Sequence, residues 1–111
     1  MPTAPSLGEF EQIVILGILR LGDHAYSLTI RTEITDCTGR EPSPGALYTT
    51  LDRLEEKELI TSRLGDPTPQ RGGRAKRYFT VTRKGLGAVS RAQRSFQRLL
   101  KGIELPGGAL A

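Results

Sequence analysis

The sequence predicts a mostly α (α+β) fold, a winged helix-turn-helix followed by a C-terminal dimerisation helix, and three observations support this prediction. A helix-start signal at Ser43-Pro44 follows an earlier helical pattern after a short link, which is typical of a helix-turn-helix. After Leu59 the apolar spacing changes from a helical period to alternation, which indicates strands. The last apolar segment advances by three and four residues in turn, as in a coiled-coil seam.

At 111 residues the chain is expected to form one domain. We expect four segments along it: a flexible arm at 1–6, a winged helix-turn-helix at 7–82, a dimerisation helix at 83–103 and a flexible tail at 104–111.

Charge is divided unevenly along the chain. Residues 1–59 carry 5 Lys/Arg and 10 Asp/Glu, whereas residues 60–111 carry 11 Lys/Arg and 2 Asp/Glu. A strongly basic half indicates a polyanionic partner, and nucleic acid is the commonest one.

The first predicted helix, from Leu7 to Leu21, is apolar on nearly every side. Such a helix must be covered all round, and a small domain has too little material to wrap it. We therefore expect one face to pack inside the protomer and the other face to pack against a second copy. Gly22 ends this helix, and Asp23 is expected to cap the next one.

The second predicted helix has Tyr26, Ile30 and Ile34 on one face, with Cys37 further along the same face, and it stops at Gly39. This spacing favours structural roles for the aromatic residues Tyr26 and Tyr78. It also favours a buried, unreactive thiol at Cys37 over a redox sensor.

The third predicted helix begins with Ser43 as its cap and Pro44 in its first position. Leu47, Leu51 and Leu54 form an apolar stripe for the core. The opposite face carries small residues first, hydroxyls next and a guanidinium last: Ala46, Thr49, Thr50 and Arg53, with Tyr48 at the flank. A face of this kind can approach a duplex closely and is similar to a helix that enters a major groove, although a solvated helix face gives the same pattern.

Two short strands follow, one starting at Ile60 and one around Phe79. The loop between them is too long for a tight hairpin and ends in a basic cluster: Arg71, Arg74, Lys76 and Arg77. A helix-turn-helix followed by such a ribbon is a winged helix.

The final helix is predicted from about Thr82 to Ile103. Its seam residues are Leu86, Val89, Gln93, Phe96, Leu100 and Ile103, and Phe10 of the first helix is expected to join them in a dimer interface. An amphipathic helix docked on its own domain is the alternative. Gln93 is either a tolerated polar residue or one that fixes the register of the dimer.

The sequence argues against several other classes of protein. One histidine (His24) and one cysteine lie in unrelated contexts, so we expect no catalytic residue, no metal site and no cofactor. The glycines at 72 and 73 do not form a phosphate-binding loop. The apolar stretches are too short to span a bilayer and no signal peptide is visible, so we expect a cytoplasmic protein without a membrane partner.

Four motifs resemble the PadR family of bacterial transcriptional regulators, and the similarity extends from about Leu7 to Leu100. The motifs are Leu7-Gly8-Glu9-Phe10-Glu11, Ala25-Tyr26-Ser27, Gly45-Ala46-Leu47-Tyr48-Thr49-Thr50-Leu51-Asp52-Arg53-Leu54-Glu55 and Gly72-Gly73-Arg74-Ala75-Lys76-Arg77-Tyr78-Phe79-Thr80-Val81-Thr82. The resemblance implies a winged-helix homodimer, joined through its terminal helices. It also implies binding of inverted-repeat double-stranded DNA, usually as a repressor, and release of the DNA when a small-molecule effector or stress is sensed.

The resemblance also implies roles for individual residues. Tyr48 would contact DNA from the recognition helix, with Ser43, Thr49 and Arg53 as its neighbours at the groove. The wing would present Arg71, Gly73 and Arg74 near its tip, with Lys76 and Arg77 near the phosphates. The chain matches the short subfamily that has a single helix after the wing, and the absence of Trp argues against the aromatic drug pocket of another short branch.

The main alternative is a winged helix that binds protein, as an adaptor or interaction module, without binding DNA. The basic wing and the basic last helix argue against it, because a protein-binding module has no need for so basic a half.

Overall fold

The computed structural model describes residues 7–65 and 75–106, and the structural statements below refer to these residues. Its elements, in order, are α1 (Glu9–Leu21), a 3₁₀ turn (Gly22–His24), α2 (Ser27–Thr38), α3 (Pro44–Glu56), β1 (Ile60–Leu64), β2 (Arg77–Val81) and α4 (Arg83–Leu100). The fold is mostly helical with a small two-stranded antiparallel sheet, so the predicted winged helix is confirmed.

The core lies where the helical stripes predicted it. Leu47, Leu51 and Leu54 of α3 are almost completely buried, and they belong to one cluster with Ile30 and Ile34 of α2. Val14, Ile15 and Ile18 of α1 and Phe79 of β2 complete its centre. Helical periodicity was a sufficient guide because each of these faces is buried against the others.

Three predictions about individual residues in the helices were wrong. Asp23 does not cap α2, because it lies in the 3₁₀ turn and Tyr26 occupies the cap position, where its N–H donates to Thr29 Oγ1 at 3.0 Å. Thr50 is buried although it was expected on the open face of α3. Cys37 is exposed and not buried, because it lies in the last turn of α2, beyond the end of the packed face.

The sheet is tied to the helices at one point. β1 and β2 pair from Ile60 opposite Val81 to Leu64 opposite Arg77. The N–H of Phe79 donates to the carbonyl of Ala25 at 2.8 Å, just before α2 begins. The ribbon is therefore hydrogen-bonded to the helix-turn-helix as well as packed on it.

A tight junction, which we call the Leu59 junction, joins α3, the sheet and α4. Glu58 adopts a left-handed conformation (φ 62°), and the N–H of Leu59 donates to the carbonyl of Leu54 at 2.9 Å, which together form a Schellman cap. Thr82 N–H then donates to the Leu59 carbonyl at 3.0 Å, and Thr82 Oγ1 donates to the Glu58 carbonyl at 2.8 Å. The first turn of α4 thus lies directly against the end of α3.

A partly buried ion pair joins the start of α1 to the end of α3. Lys57 Nζ donates to Glu11 Oε2 at 2.8 Å, and the Glu11 side chain is only 10% exposed. Glu11 Oε1 also accepts from the N–H of Gly8 at 2.9 Å, which caps α1. Burial by itself would raise the pKa of Glu11. The hydrogen bonds from Lys57 and Gly8 and the positive charges of Lys57 and Arg53 outweigh burial, so the pKa of Glu11 lies below its ordinary value.

Acid is expected to destabilise the fold through Glu11. Because the folded pKa is lower than the unfolded one, the stabilisation is fully present above the unfolded pKa of about 4.3 and is lost as the pH falls through the folded pKa. Glu11→Gln should therefore flatten the dependence of the free energy of unfolding on pH below about pH 5, measured by urea unfolding from neutral to acid pH. Glu9→Gln is the control, because Glu9 pairs with Arg40 at the surface with its side chain 80% exposed. An unchanged pH dependence in Glu11→Gln would contradict the assignment.

Candidate nucleic-acid interface

One face of α3 is open to solvent and carries the residues predicted for DNA contact. Ser43 caps the helix, with its Oγ accepting from Ala46 N–H at 3.1 Å, as predicted. Tyr48 is 50% exposed, and Thr49 and Arg53 are also exposed. Arg53 forms no ion pair with any residue in 7–65 or 75–106. The start of a helix favours anions, because its first N–H groups lack partners in the helix.

The turn before α3 fixes the position of this face. Gly39 ends α2 in the left-handed conformation (φ 76°), which glycine adopts without strain. Arg31 Nε then donates to the carbonyl of Pro42 at 3.0 Å, so that α2 holds the chain just before the cap of α3. The start of α3 is thereby held against the helix that precedes it.

A polar groove lies between the start of α2, the face of α3 and the start of β2. We call it the Tyr26–Tyr48 groove; its volume is about 280 Å³ and it is lined by Tyr26, Ser27, Tyr48, Ala75, Lys76, Arg77 and Phe79. Lys76 Nζ lies 4.4 Å from the centre of the Tyr26 ring and 3.4 Å from its hydroxyl. The Tyr26 ring also makes an edge contact with Tyr78, with 5.5 Å between ring centres.

The sequence analysis assigned Tyr26 a structural role and did not include it or Ser27 in the candidate interface. Tyr26 is half-buried and contributes both to packing and to the groove. Its helical spacing with Ile30 and Ile34 concealed the second role. The signal that could have revealed it is the position of Tyr26 and Ser27 at the start of a helix, where side chains point to solvent as readily as to the core.

The candidate wing residues fall into three groups. Lys76 is exposed at the groove, as expected. Arg77, by contrast, is bound within the protein: it forms an ion pair with Glu55 at 2.7 Å and donates to Ser62 Oγ at 3.0 Å. The prediction that Arg77 serves the phosphates overlooked these partners, which come from α3 and β1. Arg71, Gly73 and Arg74 lie outside the described residues.

A second surface, formed by α1 and α4, exposes apolar side chains. Leu16 and Leu19 of α1 are about 40% exposed, in agreement with the expected surplus face on that helix. Leu86 and Phe96 of α4 are exposed to a similar or greater degree. Gln93 Nε2 donates to Gln12 Oε1 of α1 at 3.3 Å, so α4 also contacts its own domain.

Some predicted seam residues are placed differently. Val89 is 6% exposed and belongs to the core of its own protomer. α4 ends at Leu100, so the exposed Ile103 lies after the helix, where Gly102 turns the chain with a φ of 83°. Phe10 is half-buried and packs against the core, with the Arg40 guanidinium 5.7 Å from its ring. The open apolar part of α4 is therefore shorter than the predicted heptad seam.

No group of three or more candidate metal ligands occurs within 7–65 and 75–106. Cys37 Sγ lies 3.4 Å from Glu33 Oε2, and Glu33 also binds Arg20 at 2.6 Å. Hydrogen bonds from Arg20 and Cys37 lower the pKa of Glu33. Of the helices described, none has the combination of length and apolar character that is needed to cross a bilayer.

Comparison with known sequences matches residues 15–91 to the transcriptional regulator PadR-like family. The chain is 39% identical over 75 residues to the transcriptional regulator YqjI of Escherichia coli, a match that covers 67% of this chain and 33% of YqjI. The chain thus matches about a third of the length of this curated relative.

Solved structures share the fold. A PadR family transcription regulator from Clostridium difficile superposes with a TM-score of 0.68 at 24% identity, over 83% of this chain and 92% of that one. A transcriptional regulator from Clostridium thermocellum also gives a TM-score of 0.68, at 22% identity, over 82% of this chain and 85% of that one.

Proposed function

Since this chain belongs to the PadR-like family of transcriptional regulators, we propose that it is a repressor that binds an inverted-repeat DNA operator as a homodimer. Membership of this family makes it a regulator of transcription and not an enzyme. We place its action in the bacterial cytoplasm, on chromosomal DNA. The observation that carries the proposal is the open face of α3, which presents Tyr48, Thr49 and Arg53 beside a capped helix start.

In the proposed complex, α3 enters the major groove of a half-site. The start of the helix, Ser43 and the Tyr48 hydroxyl hold phosphates and fix the register. Thr49 and Arg53 contact base edges, because hydroxyl and guanidinium groups match the donor and acceptor pattern of the major groove. Lys76 holds a phosphate beside the Tyr26–Tyr48 groove. We assign the neighbouring strand of the duplex to the basic segment at 71–74.

The proposed dimer joins two protomers through α1 and α4. Leu16, Leu19 and Phe96 supply the apolar contact, since large exposed apolar side chains grouped on two adjacent helices are typical of an interface. Such a dimer would place its two α3 helices about 34–36 Å apart, one turn of DNA. An operator of two inverted half-sites mirrors this symmetry.

The proposal is tested by selecting genomic fragments with the purified protein and titrating the selected duplex by fluorescence anisotropy at several salt concentrations. We expect two protomers per duplex and a logarithm of affinity that falls linearly with the logarithm of salt concentration, by about 0.9 for each phosphate neutralised.

The matched control is the same duplex with about five base pairs inserted between the half-sites, which places them on opposite faces of the helix and should abolish tight binding. Salt-independent binding, or one protomer per duplex, would contradict the proposal. Failure to bind any duplex would favour the protein-binding adaptor instead.

A further inference from the structure

Six exposed cations follow one face of α4 and its C-terminal end. We call them the α4 basic stripe: Arg83, Lys84, Arg91, Arg94, Arg98 and Lys101. At 3.6 residues per turn they fall within an arc of about 100°, on the side opposite Val89 and Phe96. No acidic residue occurs between 83 and 103. The stripe therefore has a single sign of charge along the whole helix.

The stripe differs from the rest of the described surface, where cations are matched with acids. Arg20, Arg40, Lys57 and Arg77 each form an ion pair with a glutamate. Within residues 7–65 and 75–106, no member of the stripe forms one. Arg94 does donate to Ser90 Oγ at 3.2 Å, a neutral partner on the same helix. An ordinary solvated face of mixed charge does not look like this.

The stripe also works against its own helix. Arg91 and Arg94, Arg94 and Arg98, and Arg98 and Lys101 are three or four residues apart, a spacing at which like charges destabilise a helix. Arg83 and Lys84 occupy the first turn, where the helix dipole disfavours positive charge. Two unfavourable arrangements of the same sign on one helix are offset when a polyanion binds.

Resting on the proposed function, we propose that the α4 basic stripe binds the phosphate backbone of a second segment of duplex DNA, so that one dimer bridges two segments. Four of the six cations are arginines, whose planar guanidinium groups suit phosphate oxygens. From Arg83 to Arg98 the stripe extends about 22 Å, at 1.5 Å per residue. That length corresponds to a run of about six phosphates, which follow one another every 3.4 Å or so along a strand.

The stripe is separate from the surface that we assign to the operator. α4 packs on α1 and β2 through its apolar side, which includes Val89 and Ala88, and so turns its cations away from the protein body. The operator contacts lie on α3. Substitutions in the stripe therefore leave the proposed operator contacts in place, and the two activities can be measured separately.

The test is a bridging assay with two duplexes of identical sequence, selected from genomic fragments, one carrying biotin on a bead and the other carrying fluorescein. The test variant is Arg91→Gln/Arg94→Gln/Arg98→Gln. The matched control, Arg91→Lys/Arg94→Lys/Arg98→Lys, changes the same positions and keeps the charge. Anisotropy on a single duplex reports operator binding, and circular dichroism reports the fold of each variant.

We expect the wild type and the lysine variant to capture the fluorescent duplex, and the glutamine variant to capture about tenfold less while binding a single duplex as tightly as the wild type. Equal capture by the glutamine variant would overturn the inference, as would a wild type that binds one duplex and captures no second. That last result leaves the proposed function intact, whereas a wild type that binds no duplex overturns both. Stripe-dependent binding to phosphatidylserine vesicles without capture of a second duplex would also overturn it, in favour of an anionic membrane surface.

Discussion

Gly85→Ala is expected to destabilise the protein by about 3 kcal/mol, at the upper end of the usual range for overpacking. A Cβ at this position would lie 2.1 Å from the Leu59 carbonyl oxygen and 2.9 Å from Val81 Cγ1. The carbonyl cannot move aside easily, because it accepts a hydrogen bond from Thr82 N–H and belongs to the Leu59 junction. The measurement is the free energy of unfolding from a urea titration monitored by circular dichroism.

Gly87→Ala is the matched control for this prediction. It lies one half-turn further along α4, and its Cβ would approach only Arg91 Nη1, at 3.3 Å, which is the end of a flexible side chain. Replacing a helical glycine with alanine at such a site should stabilise the protein by about 0.5–1 kcal/mol. Equal effects of the two substitutions would show that α4 does not approach Leu59 as closely as described.

Arg53→Ala is expected to weaken operator binding by about 1–3 kcal/mol for each half-site, which is about five- to 150-fold. The reason is that Arg53 is exposed on the face of α3 and is free of ion pairs within the described residues, so its guanidinium is available to a base edge. Fluorescence anisotropy on the selected duplex measures the effect. A base contact also predicts that the loss is largest for one base pair of the site and small for duplexes already mutated there.

Arg20→Ala is the control for Arg53→Ala, because it removes an exposed arginine of α1 that pairs with Glu33, away from the face of α3. We expect its operator affinity to remain close to that of the wild type. If both variants lose affinity equally at every sequence tested, Arg53 contributes only general positive charge, and the proposed base contact is wrong. Urea titration of both variants separates loss of contact from loss of fold, since Arg53 also contributes to the electrostatic environment of Glu11.

The fold could be predicted from the sequence wherever local pattern and burial agreed. Ser43 caps α3 as predicted because its hydroxyl acts on an N–H only three residues away. β1 occupies Ile60–Leu64, where alternation begins, and the three leucines of α3 are buried as their spacing indicated. These features depend on residues close together in the chain, so one sequence is sufficient to reveal them.

The remaining features depend on contacts between residues that are distant in sequence. Arg77 is held by Glu55, and no local pattern shows that this acid will meet it. The left-handed Glu58 was missed, because a glycine or asparagine is the usual signal for that conformation. Cys37 shares the spacing of a buried face, but the packed neighbours end before it. The candidate interface was accordingly predicted better on α3 than on the wing.

The Leu59 junction has a mechanical consequence. Because Thr82 grips the carbonyls of both Glu58 and Leu59, the first turn of α4 and the last turn of α3 form a stiff joint, with no linker to absorb rotation. Tilting α4 must therefore swing α3 with it. In the proposed dimer, a signal that reorients the subunits would change the pitch between the two DNA-facing helices directly, without first having to loosen the core.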